Sequence, residues 1–484
     1  MNLPRVTATE KGLTRLMPGV MRPANSTGKC KVKLLIKNGH IIRWTTSGRV
    51  EQLASHHVLI EDNRVRDVTA TVPAEFTPDD TIDATGCAVL PGLINTHHHL
   101  YQSLTRCLLP VQNAKLFDWL LGLYEVWRKL DFEAVKVGSQ ISMAEMLLSG
   151  CTTTNDMFYV YPRESDVKAE AVIEGASELG MRIHAGRGSM SLGRSAGGLP
   201  PDDVVQNEPA IVKDCERVIE KFHDAKPYAM TRIDLMPCSP FSITFDLLKE
   251  TRALAKSRGV LCHTHVAETA DENEFCLQKF GKRPADYLAS ADWIGADVSW
   301  AHGVCLNASE VKLVADTGTA VAHCPSSNML LGSGIPPVCE LLKAGATVGL
   351  GVDGSSSNNG AHVLGEARQA LLLQRVKNGA DSFTAEDALR IATLGGAKLL
   401  NRTGELGNLA AGSAADIAIF DLNAVEYAGA SAQDPLGALM LCSPTRAKFV
   451  VVNGRVVVRY GQLATLHLPK LIERMNELVR QRFL

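Results

Sequence analysis

Residues 88–99 read Ala88-Val89-Leu90-Pro91-Gly92-Leu93-Ile94-Asn95-Thr96-His97-His98-His99, an apolar run that ends in three histidines. Three further apolar runs close in the same way: on His263-Thr264-His265 with Glu268 three residues on, on Ala301-His302-Gly303, and on Val352-Asp353-Gly354. Along an extended strand, side chains at i and i+2 share a face, so His97 and His99 can address one ion while His98 turns away. The same parity puts His263 and His265 together on one face. Neutral imidazole and carboxylate are the ligands a borderline divalent ion such as zinc accepts, and a catalytic site keeps a position open for water. A single H-x-H is more often two ordinary strand histidines. The weight comes from position, because each of these groups sits at the C-terminal end of a strand-like run, where a parallel barrel builds its active site.

Counting outward from that stretch, strand-like runs recur eight times: 88–95, 151–156, 181–186, 233–237, 260–265, 298–302, 320–323 and 347–353. Stretches with helical spacing lie between them, among them Phe132 to Leu148 and Ala385 to Leu400. Strands that alternate with helices imply a parallel sheet, and eight units imply closure. The expected fold class is therefore α/β, a (β/α)8 TIM-like barrel over residues 88–404. Its flanks differ. Residues 31–87 and 405–465 are rich in β-branched residues and hold Asn38-Gly39 and Asn453-Gly454, which read as turns of a small β-sandwich domain built from both chain ends. Residues 1–30 read as an N-terminal extension and 466–484 as an amphipathic C-terminal helix.

The 484 residues carry a formal charge of −2 and 45% hydrophobic residues, an ordinary globular composition with no bias toward a polyanionic partner. Twelve cysteines are scattered without a C-x-x-C pair, and several lie inside apolar runs. They read as reduced thiols in a cytoplasmic protein. No run is long and charge-free enough to cross a bilayer, and the first thirty residues lack the apolar core of a signal peptide; Glu10 argues against a transit peptide. The strings H-x-E and P-C-x-x-C, which together mark a different zinc-site architecture, do not occur. A homo-oligomer is compatible with everything read here.

Together the strings Pro91 to His99, His265-Val266-Ala267-Glu268, His302, Cys324-Pro325-Ser326-Ser327-Asn328, Gly349 to Asp353 and Ala414-Ala415-Asp416-Ile417 resemble the amidohydrolase superfamily. Within it, Tyr101 to Arg106, Arg187 to Leu192 and Pro237 to Ser242 are most similar to the 8-oxoguanine deaminases, with the hydroxyatrazine ethylaminohydrolases as near relatives. The resemblance implies His97, His99, His265 and Asp353 as ligands of one divalent metal, zinc first and iron(II) second, and Glu268, His302 and Asp353 as catalytic. Two-metal members carry a lysine where this chain has Leu235-Met236-Pro237-Cys238, so a mononuclear site is implied. Gln102 matches a purine-contacting glutamine. Pro240 stands where guanine deaminases have an arginine, and Arg187 is the candidate replacement, offering a fork of donors to a ring carbonyl. Trp119, on the aromatic stretch after the first strand, is a third candidate for substrate contact, the other reading being that Trp119, Tyr124 and Trp127 pack a helix.

The activity implied is a hydrolytic deamination of a free nucleobase, 8-oxoguanine to urate and ammonia in the first instance. A bound metal lowers the pKa of its water to about 7, Glu268 relays a proton to the ring nitrogen, His302 steadies developing charge, and Asp353 passes a proton to the departing amine. Triazine, isocytosine and guanine-type substrates are alternatives, as is a non-catalytic scaffold relative. His184 and His323 also end strands; His184 is expected to be structural, His323 to pack or to donate a supporting hydrogen bond.

Overall fold

The computed structural model describes residues 32–483, so the extension expected at 1–30 lies outside the described residues. Eight parallel strands follow the order β13-β12-β11-β10-β9-β8-β7-β6: β6 (Leu93–Asn95), β7 (Cys151–Phe158), β8 (Arg182–Ser189), β9 (Thr231–Pro237), β10 (Cys262–Val266), β11 (Val298–His302), β12 (Ala320–His323) and β13 (Thr347–Leu350). Each predicted run overlaps one of them. Strands β7, β8 and β10 to β13 are buried along their whole length, as expected of a parallel sheet covered by helices on its outer side. The last strand meets the first. Thr96 donates twice to the Leu350 carbonyl, from N (2.8 Å) and Oγ1 (2.9 Å), and Val352 N–H reaches Asn95 Oδ1 at 2.9 Å.

A second sheet has nine strands, ordered β17-β16-β15-β14-β5-β1-β2-β3 with β4 beside β1. It draws β1 (Lys33–Trp44), β2 (Val50–Glu61), β3 (Arg64–Thr69), β4 (Asp80–Asp83) and β5 (Cys87–Pro91) from one end of the chain. From the other come β14 (Ile417–Asp421), β15 (Phe449–Val452), β16 (Arg455–Arg459) and β17 (Gln462–Leu463).

Three details differ from the reading of the sequence. The run 88–95 is not one strand: β5 pairs with β14, and β6 pairs with β7. The switch falls at Gly92, whose N–H goes to Asp416 O (2.8 Å) while the next N–H goes to Gly150 O (3.0 Å). A Cβ there would collide with the Thr152 side chain, so glycine lets the chain pass from one sheet to the other. The two Asn-Gly pairs also differ. Asn453 and Gly454, both at positive φ, form the expected two-residue turn between β15 and β16. Asn38-Gly39 is instead a bulge inside β1, with Asn38 at φ +62° and its N–H held by His57 Nδ1 at 3.1 Å.

The helix Phe132–Leu148 has the bounds the periodicity predicts, and Asp131 caps it by accepting Ala134 N–H. The stretch 385–400 is not a single α-helix, because residues Ile391–Gly395 widen into a π turn between Ala385–Arg390 and Gly396–Leu399. Gly395 lies there against the Val348 carbonyl of β13, an approach no side chain permits. The terminal helix Leu468–Arg482 buries Met475 and Leu478 and ties Arg474 to Glu133 at 2.8 Å. Among the described residues, no helix is long and apolar enough to cross a membrane.

Candidate active site

The C-terminal ends of β6, β10, β11 and β13 bring His97, His99, His265, Glu268, His302 and Asp353 to one place. Three of the segments turn there through backbone conformations that residues with a Cβ seldom adopt: Ala267 (φ +53°), His302 (φ +73°) and Asp353 (φ +61°). Each costs on the order of 1–3 kcal/mol and persists only where the surroundings fix it.

His99 donates from Nδ1 to Met157 O (2.7 Å), and His265 from Nδ1 to Cys238 O (2.6 Å). A carbonyl only accepts, so both rings present an unprotonated Nε2 inward. His97 is held differently. Its Nδ1 lies 2.8 Å from His263 Nε2, and His263 Nδ1 lies 2.7 Å from Ser299 Oγ; with the serine hydroxyl accepting, His97 takes the same tautomer. The parity argument put His263 and His265 on one face, and both do point inward. They differ in depth, so His265 joins the cluster while His263 supports His97 from behind.

His97 Nε2 is buried without a hydrogen-bond partner. It lies 3.3 Å from Asp353 Oδ1, which is 3.4 Å from His99 Nε2, and His99 Nε2 is 3.1 Å from His265 Nε2. Burial pushes His97 and His265 well below the usual histidine range and lowers His99 as well. Asp353 is held well below the usual carboxylate range against the opposing effect of burial. Ser327 Oγ (2.6 Å) and Ser357 Oγ (3.1 Å) donate to its Oδ2, and Gly354 N–H to its Oδ1 (2.6 Å). Three neutral imidazoles and a carboxylate converging with no proton between them fit a single divalent cation.

Glu268 stands beside this cluster, its Oε2 3.7 Å from His302 Nε2. Burial first, then the charges of Asp353 and Glu272, push its carboxyl well above the usual range, which favours its protonated form. Glu272, itself raised by burial to about 7, accepts the backbone N–H of Ala267 (3.1 Å) and of Glu268 (2.7 Å) and so fixes the turn that carries Glu268 inward. His302 is buried, lowered to about 4 by burial, and contacts Asn328 Nδ2 at 3.0 Å through Nδ1.

The three candidates for substrate contact fare differently. Gln102 is fully buried; its Oε1 accepts Ser356 N–H at 3.4 Å, and its Nε2 has no partner in the protein. Trp119 packs edge-on to Trp127 (5.9 Å between centroids), as Tyr124 also does, and donates to Ser356 O at 3.4 Å. It also lines a cavity of about 220 Å³ together with Val111, Leu331 and Ser356. Arg187 is buried over the Tyr161 ring, with Nε on Asp214 (2.6 Å), Nη2 on Gln206 (2.9 Å) and Nη1 on the Gly188 carbonyl. Gly188 and Gln206 are the two ends of the 188–206 segment, so two of these contacts tie the arginine to that segment and the third to the helix Glu208–Phe222. His184 Nδ1 lies 3.1 Å from Asp234 Oδ2, and its Nε2 is buried without a partner. Neither ring nitrogen of His323 has a partner, so it packs and makes no supporting hydrogen bond.

Sequence reasoning gave no role to His263, Ser327, Asn328, Ser357 or Glu272. Ser327 and Asn328 stand inside a motif string already singled out, and Glu272 lies one helical turn beyond Glu268; His263 was marked by parity alone.

Comparison with known proteins gives three findings. A model of the amidohydrolase family matches residues 88–459. The 8-oxoguanine deaminase of Pseudomonas aeruginosa is 45% identical over 87% of this chain and 93% of its own, and the hydroxydechloroatrazine ethylaminohydrolase of a Pseudomonas species 35% identical over 84% and 87%. Among solved structures, an atrazine chlorohydrolase from Arthrobacter aurescens in complex with zinc superposes with a TM-score of 0.87 at 32% identity, covering 92% of this chain and 100% of that one.

Proposed function

The chain belongs to the amidohydrolase family, and on that premise we propose that it is a hydrolytic deaminase of a free nucleobase, with 8-oxoguanine as substrate and urate and ammonia as products. The observation that carries the reaction class is the pairing of a His97, His99, His265 and Asp353 cluster with the buried carboxyl of Glu268 beside it. Those four side chains would hold one zinc ion, with iron(II) suited to the same donors, and the metal when bound makes a water nucleophilic at neutral pH.

An aminated ring carbon resists attack until the neighbouring ring nitrogen is protonated, and Glu268 is the group that holds that proton; it recovers one from the attacking water. His302 faces the same space and steadies the charge that develops. Asp353 takes the second proton and delivers it to the departing amine. Gln102, with a buried unpaired amide nitrogen, is the proposed donor to the base, and Trp119 a wall of the approach to it.

The substrate rests on the 45% identity to the deaminase of Pseudomonas aeruginosa. A second reading, release of an alkylamine or halide from a triazine ring, is favoured by the 35% relative and by the atrazine chlorohydrolase structure. Release of ammonia, alkylamine or halide by purified, metal-analysed protein, measured across amino-purines, pyrimidines and triazines, tests both. Release from 8-oxoguanine is expected to be fastest; a triazine as the better substrate transfers the assignment, and no release from any of them removes it. We further take the nine-stranded sheet as a small β-sandwich domain from residues 31–87 and 405–465, flanking a barrel of 88–404 and followed by the helix of 466–484. Free cysteines at eleven described positions suit a reducing compartment such as the cytoplasm. A free base, rather than nucleic acid or a membrane, is the proposed partner, and a homo-oligomer is the proposed assembly.

A further inference from the structure

His302 is fully buried, and its two ring nitrogens look in different directions. Nε2 faces two carboxylates, Glu268 Oε2 at 3.7 Å and Asp353 Oδ2 at 3.9 Å. Nδ1 lies 3.0 Å from the amide nitrogen of Asn328. A neutral imidazole has one N–H, and an amide nitrogen can only donate. Nδ1 therefore accepts, and the proton sits on Nε2.

The backbone of Asn328 is well fixed: the residue is fully buried in the short helix Pro325–Leu330, its backbone N–H bonds to Cys324 O at 3.1 Å, and its backbone carbonyl accepts Ser333 N–H at 2.9 Å, while its side-chain Oδ1 has no partner among the described residues. The adjacent Ser327 holds Asp353 Oδ2 at 2.6 Å. One rigid turn thus orients both an acidic group of the cluster and the imidazole across from it.

We propose that Asn328 is a positioning residue that locks His302 in its Nε2–H tautomer, which makes His302 a neutral hydrogen-bond donor to the reacting atoms. This excludes two other roles. Donor atoms of His97, His265 and His302 lie within 4.8 Å of one another, so His302 has the reach of a further metal ligand. With its proton on Nε2, it has no inward lone pair with which to ligate or to act as a base. The inference rests on the deaminase reading for its effect on rate, while the tautomer itself depends on no substrate.

The test combines spectroscopy and kinetics on zinc-loaded full-length protein. With ¹⁵N-labelled histidine, and His302 identified by the signal lost in His302→Gln, long-range ¹H–¹⁵N spectra should show an unprotonated Nδ1 and a protonated Nε2 in the parent. Asn328→Asp is nearly isosteric but turns the donor into an acceptor, which should draw the proton to Nδ1. Its kcat should fall on the order of 10²–10³-fold, the loss typical of one misdirected donor, with KM and metal content close to the parent. Asn328→Ala should show a mixture of tautomers and a smaller loss. A space-filling role predicts the reverse order, with Asp milder than Ala. The proposal is overturned if the parent carries its proton on Nδ1, or if Asn328→Asp stays within a few-fold of parental kcat. Should Asn328→Asp fail to fold, the parent spectrum and the Ala variant still decide. Should no base be deaminated at all, the deaminase reading fails and the spectrum still decides the tautomer.

Discussion

His99 Nε2 and His265 Nε2 stand 3.1 Å apart while the other nitrogen of each ring donates to a backbone carbonyl, so two lone pairs face each other across a buried gap. Nothing in the protein relieves that repulsion; a cation between them does. One divalent ion per chain is therefore expected by elemental analysis. Its removal should lower thermal stability, because an ion that binds only the folded state adds about 4 kcal/mol at a thousandfold excess over Kd. Asp353→Ala should abolish turnover even where some metal is retained. Two tightly held ions per active chain would refute the mononuclear assignment.

Glu268→Gln keeps size and polarity but cannot carry a proton. Metal occupancy should match the parent while the rate falls on the order of 10²–10⁴-fold. A variant within a few-fold of the parent would move the proton carrier to another group.

His263 supports His97 through an imidazole-to-imidazole contact of 2.8 Å, where many sites use a carboxylate or a carbonyl. Replacing it by Leu should weaken zinc binding roughly 10–100-fold, as loss of such a supporting partner typically does. Chelator competition measures this without substrate. Unchanged affinity would show that packing alone orients His97.

The chain announced its barrel because parallel strands buried on both faces are continuous apolar runs, and all eight were visible. It announced the cluster because His97, His99, His265, Glu268, His302 and Asp353 stand at the ends of such runs. Strand parity gives the face a side chain points to and not its height along the barrel, so His263 and His265 could not be ranked from spacing. Likewise the Gly92 crossing was hidden, because an uninterrupted apolar run looks the same whether one sheet or two receive it. Partners such as Asn328 to His302, or Glu272 to the Ala267–Glu268 backbone, are set by how loops fold back, which no local period encodes.

Glu366 offers a test by pH. It is buried on the helix Val363–Asn378, accepts Ser326 N–H and Oγ–H (both 2.8 Å), and burial pushes its carboxyl up to about 7. The unfolded chain releases this proton near the ordinary value of 4.5. Between the two values the folded state binds more protons, so its contribution to stability is complete below 4.5, falls as pH rises toward 7, and is flat beyond. The slope for one group is at most about 1.4 kcal/mol per pH unit. Urea midpoints of Glu366→Gln should therefore gain on the parent between pH 5 and pH 8; a constant difference would contradict the assignment. Asp156 and Glu272, also raised to about 7 by burial, act in the same direction in both proteins and cancel in the comparison.

Gln102 and Arg187 make separable predictions about substrate choice. A site built to hydrogen-bond a polar group rejects analogues without it, because its own buried donors are left unpaired. Gln102 Nε2 is such a donor, buried and without a protein partner. If 8-oxoguanine is the substrate, Gln102→Ala should narrow its advantage over guanine in kcat/KM while leaving the metal in place. Arg187 is engaged with Asp214, Gln206 and the Gly188 carbonyl, so it anchors the 188–206 segment. Arg187→Met leaves Asp214 short of one partner and should lower stability and slow both bases alike, with their ratio nearly unchanged. If Arg187→Met instead collapses the ratio and Gln102→Ala does not, then the arginine reads the base through the N–H groups its internal partners leave over, and the two assignments must be exchanged.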